Sequence, residues 1–302
     1  MNQTRSNPAE STTALPDVPA LALLFADIDA TVARALAEDI GDGDVSAALV
    51  PAGRLATARV ITRDAAVVCG RPWVDEVVKQ VDSTLDLEWE VADGQAVEPG
   101  TTLFTIMGNA RSLLTAERTM LNFLQLLSGT ATATAHLVRV LEGTRTRLLD
   151  TRKTLPGLRC AQKYAVYIGG GTNHRIGLFD AYLIKENHIA AAGGITAAVH
   201  AARQARPDLR VEVEVETMAQ LDEALAAGAE MIMLDNFDVP RTREAVLRTD
   251  GRAQLEASGG IDGDQLRQVA ETGVDFISVG ALTKHVRAID LSMRLHLGMQ
   301  GD

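Results

Sequence analysis

The chain has 302 residues, is 46 % apolar and carries a formal net charge of −11. That composition suits one large globular domain or two smaller ones, and there is no run of about 18 apolar residues that would span a membrane. So acidic a chain repels nucleic acid and anionic membranes unless a basic patch dominates locally, so neither is expected as a partner.

Residues 1–19 hold one Arg, then polar and Pro residues, with no apolar h-region, and read as a disordered tail and not a secretory signal. From 20 to about 40 the spacing predicts a helix, with Leu21, Leu24, Phe25 and Ile28 on one face and Gly41 after it. Leu55 to Arg63 alternates like a strand, Arg71 to Val81 is helical, and Leu85, Leu87, Trp89 and Val91 alternate again. Turns are marked at Asp93-Gly94 and Pro99-Gly100, before a short strand over Leu103 to Met107. This is an α+β pattern with antiparallel strands. Its turn rhythm also occurs in lipoyl-type carriers, but no modifiable Lys lies between Lys79 and Lys153. Ser112 to about Leu141 is a long helical stretch with a break expected near Ser128-Gly129. The two cysteines, Cys69 and Cys160, fit no metal or redox spacing and read as reduced thiols of a cytosolic protein.

After residue 145 short apolar strands alternate with helical stretches: 147–150, 181–185, 211–215, 231–235, 253–258 and 276–280. Strands alternating with helices mean βα units and a parallel sheet, so this half is an α/β barrel or incomplete barrel, with an open doubly wound sheet as the alternative. In such barrels the active site lies at the C-terminal ends of the strands. Those ends carry Asp150-Thr151-Arg152-Lys153, Lys185-Glu186-Asn187-His188, Glu214 with Glu212 and Glu216, Asp235-Asn236, Ser258-Gly259-Gly260 and Gly280-Ala281. Strand ends need no such charge for structure, so a shared functional rim is expected. Asp150 to His188 holds six Lys or Arg and three acids, a compact basic island suited to a small polyanion.

Arg152, Arg175 and Lys185 can together hold a di- or tricarboxylate or a phosphate, whereas Arg159 and Lys163 read as ordinary surface cations. Glu214 and Asp235 can hold Mg²⁺ beside phosphate oxygens, or hydrogen-bond sugar hydroxyls; their alternative is simple pairing with the nearby cations. The glycines after the last strands suit a phosphate. Gly169-Gly170-Gly171 gives the chain room to turn before His174 and Arg175. No zinc spacing is present, and no GxGxxG follows a strand.

Together ERTMLNFLQLLSG (117–129), DTRKTLPGLR (150–159), GGGTNHRIGLFDAYLIKENHI (169–189), VEVEVET (211–217), MLDNF (233–237) and EASGGI (256–261) resemble the quinolinate phosphoribosyltransferase family. The resemblance covers about residues 20 to 297 and spans several long motifs in order. It implies an N-terminal α+β open sandwich over 20–130, joined by 286–302, followed by an incomplete parallel β/α barrel of about seven strands over 131–285. It also implies a Mg²⁺-dependent cytoplasmic homodimer, or a multiple of dimers. The implied reaction joins quinolinate and phosphoribosyl pyrophosphate into nicotinate mononucleotide, pyrophosphate and CO₂, feeding NAD synthesis. By resemblance, Thr151, Arg152, His174, Arg175 and Lys185 meet quinolinate, with Arg118 reaching the partner subunit's site. Lys153, Glu214, Asp235, Ser258, Gly259, Gly260, Gly280 and Ala281 would meet phosphoribosyl pyrophosphate, with Mg²⁺ near Glu214 and Asp235. Lys153, Lys185, Glu214 and Asp235 are the catalytic candidates. Lys284 stands where some members carry His, which leaves its phosphate role open.

Overall fold

The fold was obtained as a computed structural model, which describes residues 21–261 and 263–297. The expected disordered tail lies outside the described residues. The first helical stretch is two helices, α1 (Leu21–Phe25) and α2 (Ile28–Ile40), separated by a turn. The strands β1 (Leu55–Thr62), β2 (Ala66–Val67), β3 (Asp86–Trp89), β4 (Ala96–Val97) and β5 (Thr102–Asn109) follow, with α3 (Arg71–Asp82) between β2 and β3. A four-stranded antiparallel sheet runs β12-β1-β5-β3, where β12 (Leu291–Leu297) returns from the far end of the chain. β2 and β4 pair separately. Trp73 and Val77 of α3 and Phe104 and Ile106 of β5 share one buried apolar core. Alternation on β1 buries Ala56, Ala58 and Val60 on that side, the period-2 signature of a sheet with one covered face.

α4 (Ala110–Val140) is one unbroken helix of 31 residues. It begins where Asn109 accepts the Arg111 N–H at 2.9 Å, an N-cap. The break expected at Ser128-Gly129 is absent, and tertiary contacts explain both residues. Ser128 Oγ accepts the Cys69 N–H at 2.9 Å and donates to the Cys69 carbonyl at 3.1 Å. A side chain at Gly129 would drive into the Arg287 carbonyl, so glycine is required for close approach, not for bending. Thr132 Oγ1 likewise accepts the Val67 N–H at 2.9 Å, so the helix satisfies the edge of β2.

The second half is a parallel sheet of six strands: β6 (Arg147–Leu149), β7 (Tyr182–Ile184), β8 (Val211–Val215), β9 (Met231–Asp235), β10 (Gln254–Ser258) and β11 (Phe276–Ser278), in the order β6-β11-β10-β9-β8-β7. Thr172 makes an isolated parallel bridge to Leu149 on the free edge of β6, marking a seventh place in the wall. The barrel is therefore incomplete, as expected. Around it lie α5 (Arg159–Ile168), α6 (Glu186–Ala192), α7 (Ile195–Ala205), α8 (Met218–Ala227), α9 (Val239–Thr249), α10 (Gly263–Ala270) and the single turn α11 (Ala281–Lys284). Val211, Val213 and Val215 point outward into the helix layer. Alternation then turns Glu212 and Glu214, Met231 and Met233, Glu256 and Ser258, and Phe276 and Ser278 inward. No helix among the described residues is long and apolar enough to cross a membrane.

Candidate active site

Strand register brings the rim together. Asp235 sits opposite Ser258, and Glu214 opposite Met233 on the neighbouring strand. Lys185, just past β7, is ion-paired with Glu214. Asp235 Oδ2 accepts the Asn236 side-chain amide at 2.8 Å. Asn236 has a left-handed backbone (φ 56), a conformation that costs a non-glycine residue about 1 kcal/mol and clusters at functional sites. Its N–H is held by the Ser258 carbonyl at 3.0 Å. Gly259 (φ 112) lies against this residue, and a Cβ there would stand 2.8 Å from Asn236 N. Asp235, Asn236, Ser258 and Gly259 therefore form one packed corner, and Gly260 follows with φ 65.

On the other flank, Thr151 Oγ1 accepts the Lys153 N–H at 3.0 Å, and Thr283 Oγ1 donates to the Lys153 carbonyl at 2.8 Å. A Cβ on Gly280 would stand 2.9 Å from Lys153 Cδ and 3.4 Å from Thr151 Oγ1, so Gly280 clears room for the Lys153 stem. Ala281 is exposed at the start of the one-turn α11, where a macrodipole is small. Arg152 is half-buried, and its Nε is shielded from solvent without a hydrogen-bond partner. Arg175 Nη1 donates to the Ala181 carbonyl at 3.3 Å. Burial, and after it the neighbouring Arg152, lower the pKa of the Arg175 guanidinium. Two like charges are thus held close together, a poor arrangement for a free surface and a suitable one for a dianion.

His174 lies inside the barrel, its side chain 6 % exposed. Nε2 is 3.0 Å from Glu212 and 3.2 Å from Glu256, both wholly buried. Burial disfavours a charged ring and the two carboxylates favour it; the Arg175 N–H aimed at Nδ1 settles the ring as neutral. Glu256 is raised by burial and by Glu212, and Glu212 is lowered chiefly by His174 against its burial. The trio has the spacing of a cation site. Yet Nδ1 accepts the Arg175 N–H at 2.7 Å, which leaves the ring hydrogen on Nε2, the atom a metal would need. We read it as a proton-sharing set beneath the rim.

The expected surface cations are corrected here. Lys163 is wholly buried and paired with Asp150, because α5 is covered on every side from Ala161 to Val166 and turns this residue toward Asp150 and the His174 carbonyl. Arg159 is half-buried, donating to Thr154 Oγ1 and the Ile176 carbonyl at 3.2 Å each. Gly169 and Gly171 press on α4 and α5, where side chains would meet Thr134 Cβ at 2.6 Å and Val166 Cγ1 at 2.7 Å. Of the expected acids, Glu216 is exposed beyond the strand. Arg118 is exposed on α4, and among the described residues no hydrogen bond or ion pair ties it to the rim. Reading by residue type placed Asp150 on the rim and Lys163 at the surface without pairing them, and gave no role to Glu256 or to Asn236 as an orienting group. The only local signals were an acid straight after β6 and a Lys inside an otherwise apolar helix face.

Comparison with known proteins follows the same outline. The quinolinate phosphoribosyl transferase N-terminal domain matches residues 44–128, and the C-terminal domain of the same name matches 130–294. The nicotinate-nucleotide pyrophosphorylase [carboxylating] of Mycobacterium leprae is 46 % identical, over 88 % of this chain and 96 % of its own. A probable enzyme of that name from Bacillus subtilis is 41 % identical, over 86 % of this chain and 90 % of its own. The structure of the nicotinate-nucleotide pyrophosphorylase from Francisella tularensis superposes with a TM-score of 0.87 at 50 % identity, covering 89 % of this chain and 96 % of that one. The chain belongs to the quinolinate phosphoribosyltransferase family.

Proposed function

We propose that this chain transfers the phosphoribosyl group of phosphoribosyl pyrophosphate to quinolinate and decarboxylates the product, giving nicotinate mononucleotide, pyrophosphate and CO₂. The observation that carries this reading is the split rim. One flank carries Arg152 and Arg175 on segments joined through Asp150, Thr172 and His174, and the other sets Glu214 and Asp235 on neighbouring strands. A dicarboxylate fits the first, and a sugar pyrophosphate with Mg²⁺ fits the second.

Arg152, Arg175 and Lys185 grip the two carboxylates of quinolinate, with Thr151 beside them and Arg118 of the partner subunit completing the clamp. His174 lies below the clamp and holds the Arg175 backbone. Lys153 faces the pyrophosphate, while the backbone at Ser258, Gly259, Gly260, Gly280 and Ala281 surrounds the 5′-phosphate. Magnesium suits the hard oxygen donors here: Lys185 engages one Glu214 oxygen and Asn236 one Asp235 oxygen, and each carboxylate keeps a second. When bound it neutralises charge on the leaving pyrophosphate.

As pyrophosphate departs, positive charge develops on the ribose C1, and Glu214 and Asp235 stabilise it from preorganised positions. The pyridine nitrogen, aimed by the carboxylate clamp, attacks C1. The resulting pyridinium is an electron sink, so the C–C bond to the adjacent carboxylate breaks, CO₂ leaves, and a proton takes its place on the ring. Lys185, paired with Glu214 and counted in the carboxylate clamp, is the group we assign to deliver that proton. We place the enzyme in the cytoplasm, and as a homodimer or multiple of dimers in which Arg118, exposed on α4, reaches the site of the other copy.

The test is direct. Protein, Mg²⁺, quinolinate and phosphoribosyl pyrophosphate are mixed, and CO₂ and nicotinate mononucleotide are followed, with nicotinate run in parallel. Turnover of quinolinate but not nicotinate is expected. Preference for nicotinate, or turnover without CO₂, would overturn the reading.

A further inference from the structure

Asp150 and Lys163 have no part in the chemistry above, yet both side chains are wholly buried. Such pairs give little net stability, because removing two charges from water costs about as much as their attraction returns. Burial raises the pKa of Asp150 and lowers that of Lys163, so desolvation outweighs the attraction at both ends. Stability is then a weak reason for the pair, and its geometry offers a better one.

Asp150 follows β6 and leads directly into Thr151-Arg152-Lys153. One carboxylate oxygen accepts from Lys163 Nζ and from the His174 N–H at 2.8 Å. The other accepts from Asn173 Nδ2 at 2.6 Å. Lys163 Nζ also donates to the His174 carbonyl at 2.9 Å, and Asn173 Nδ2 to the Lys163 carbonyl at 2.8 Å. Both backbone groups of His174 are therefore fastened to one ion pair, and the next residue is Arg175. Backbone bonds from the Thr172 N–H to the Leu148 carbonyl at 2.8 Å and from the Asp150 N–H to the Thr172 carbonyl at 3.2 Å bring the two segments together, and beyond that bridge these two side chains continue the tie toward Arg152 and Arg175. Past Thr172, this pair is what fastens the His174 backbone next to Arg175. Lys153 has separate anchors in Thr283 and Thr151, and Gln162 independently holds the Leu155 N–H at 2.8 Å.

We propose that Asp150 and Lys163 are positioning residues whose buried pair fixes the spacing of Arg152 and Arg175 before the dicarboxylate arrives. This rests on the assignment of those two arginines to quinolinate. Affinity for the dicarboxylate depends on the pair, and affinity for the sugar pyrophosphate does not.

The test uses the full chain with both charges removed, Asp150→Asn with Lys163→Met. Asn at 150 can still accept the His174 N–H, and Met roughly keeps the Lys volume. Titration calorimetry measures quinolinate, and separately phosphoribosyl pyrophosphate with Mg²⁺, alongside thermal unfolding. Quinolinate should weaken about tenfold or more, while phosphoribosyl pyrophosphate stays within about twofold and the unfolding midpoint within a few degrees. Asn173→Ala loosens the same tie with less disturbance, serves if the double variant does not fold, and should weaken quinolinate about threefold. Unchanged quinolinate affinity in a folded variant overturns the positioning role. Parallel loss of both ligands with a lowered midpoint also overturns it, because that is the mark of a general scaffold. A wild-type protein that binds no quinolinate overturns the functional reading and takes this proposal with it; a wild type that binds, matched by its variants, overturns the proposal alone.

Discussion

The two halves of the molecule bury different things. Under the N-terminal sheet the interior is Trp73, Phe104, Leu113, Leu124 and their neighbours, apolar and close-packed. In and against the barrel wall lie Glu212, Glu256, His174, Asp150 and Lys163, and among the described residues Leu149, Met231 and Phe276 form a small apolar patch there. An apolar core is stabilised by being dry; a charged one is tolerated only where each charge has a partner. The first interior holds shape for its own sake, and the second gives up stability to hold groups in place. Substitutions in the two interiors should accordingly show in different measurements.

The largest effect sought is complementation between subunits. Arg118→Ala and Lys185→Ala proteins, each inactive alone, should regain activity when mixed, because one site of the hybrid keeps both groups. A demonstrated heterodimer that stays inactive would count against shared sites. Next is the barrel rim. Arg152→Ala should weaken quinolinate binding about 100-fold, the loss of a charged, forked contact, with no change in the unfolding midpoint. A normal quinolinate dissociation constant would remove Arg152 from the clamp. On the apolar side the reverse pattern is expected. Gly129→Ala forces a methyl group against the Arg287 carbonyl and should destabilise by about 3 kcal/mol, read by denaturant unfolding. Whatever protein still folds should bind quinolinate normally.

The sequence was legible where a local rule and the tertiary structure agree. Alternation over Val211 to Val215 implies acids on one face and valines on the other, and the valines do pack into the helix layer while Glu212 and Glu214 share register with Met231 and Met233. The βα rhythm located the rim even though β6, β7 and β11 have only three residues each. It failed where a distant partner decides. Ser128-Gly129 has the composition of a helix breaker, but the Cys69 backbone and the Arg287 carbonyl explain both residues within an intact helix. Lys163 looks like a surface cation until Asp150, 13 positions earlier, folds over it. The rim was readable because strand ends carry their chemistry outward. The layer beneath was not, because a buried charge leaves no trace in sequence beyond the residue itself.

That layer gives the smallest and most discriminating effect. Burial and Glu212 raise the pKa of Glu256, so the folded protein holds a proton on Glu256 at pH values where the unfolded chain has released it. The sign follows from proton counting. A carboxyl with a raised folded pKa adds no penalty below its unfolded value, about 4.3. Above that value the folded state binds more protons than the unfolded one, so stability falls with rising pH until the folded pKa is passed. Glutamine copies the protonated carboxyl without titrating. Glu256→Gln should therefore leave stability within about 1 kcal/mol of wild type at pH 4 and become relatively more stable by pH 7, in denaturant unfolding at both values. Glu212, whose pKa is lowered chiefly by its contact with His174, should behave oppositely. Glu212→Gln removes a charge the folded state uses, so its deficit should be full at pH 7 and shrink only as pH falls below the ordinary carboxylate range. The same trend for both variants would mean that the two carboxyls share their proton evenly, with no division into one acid and one base.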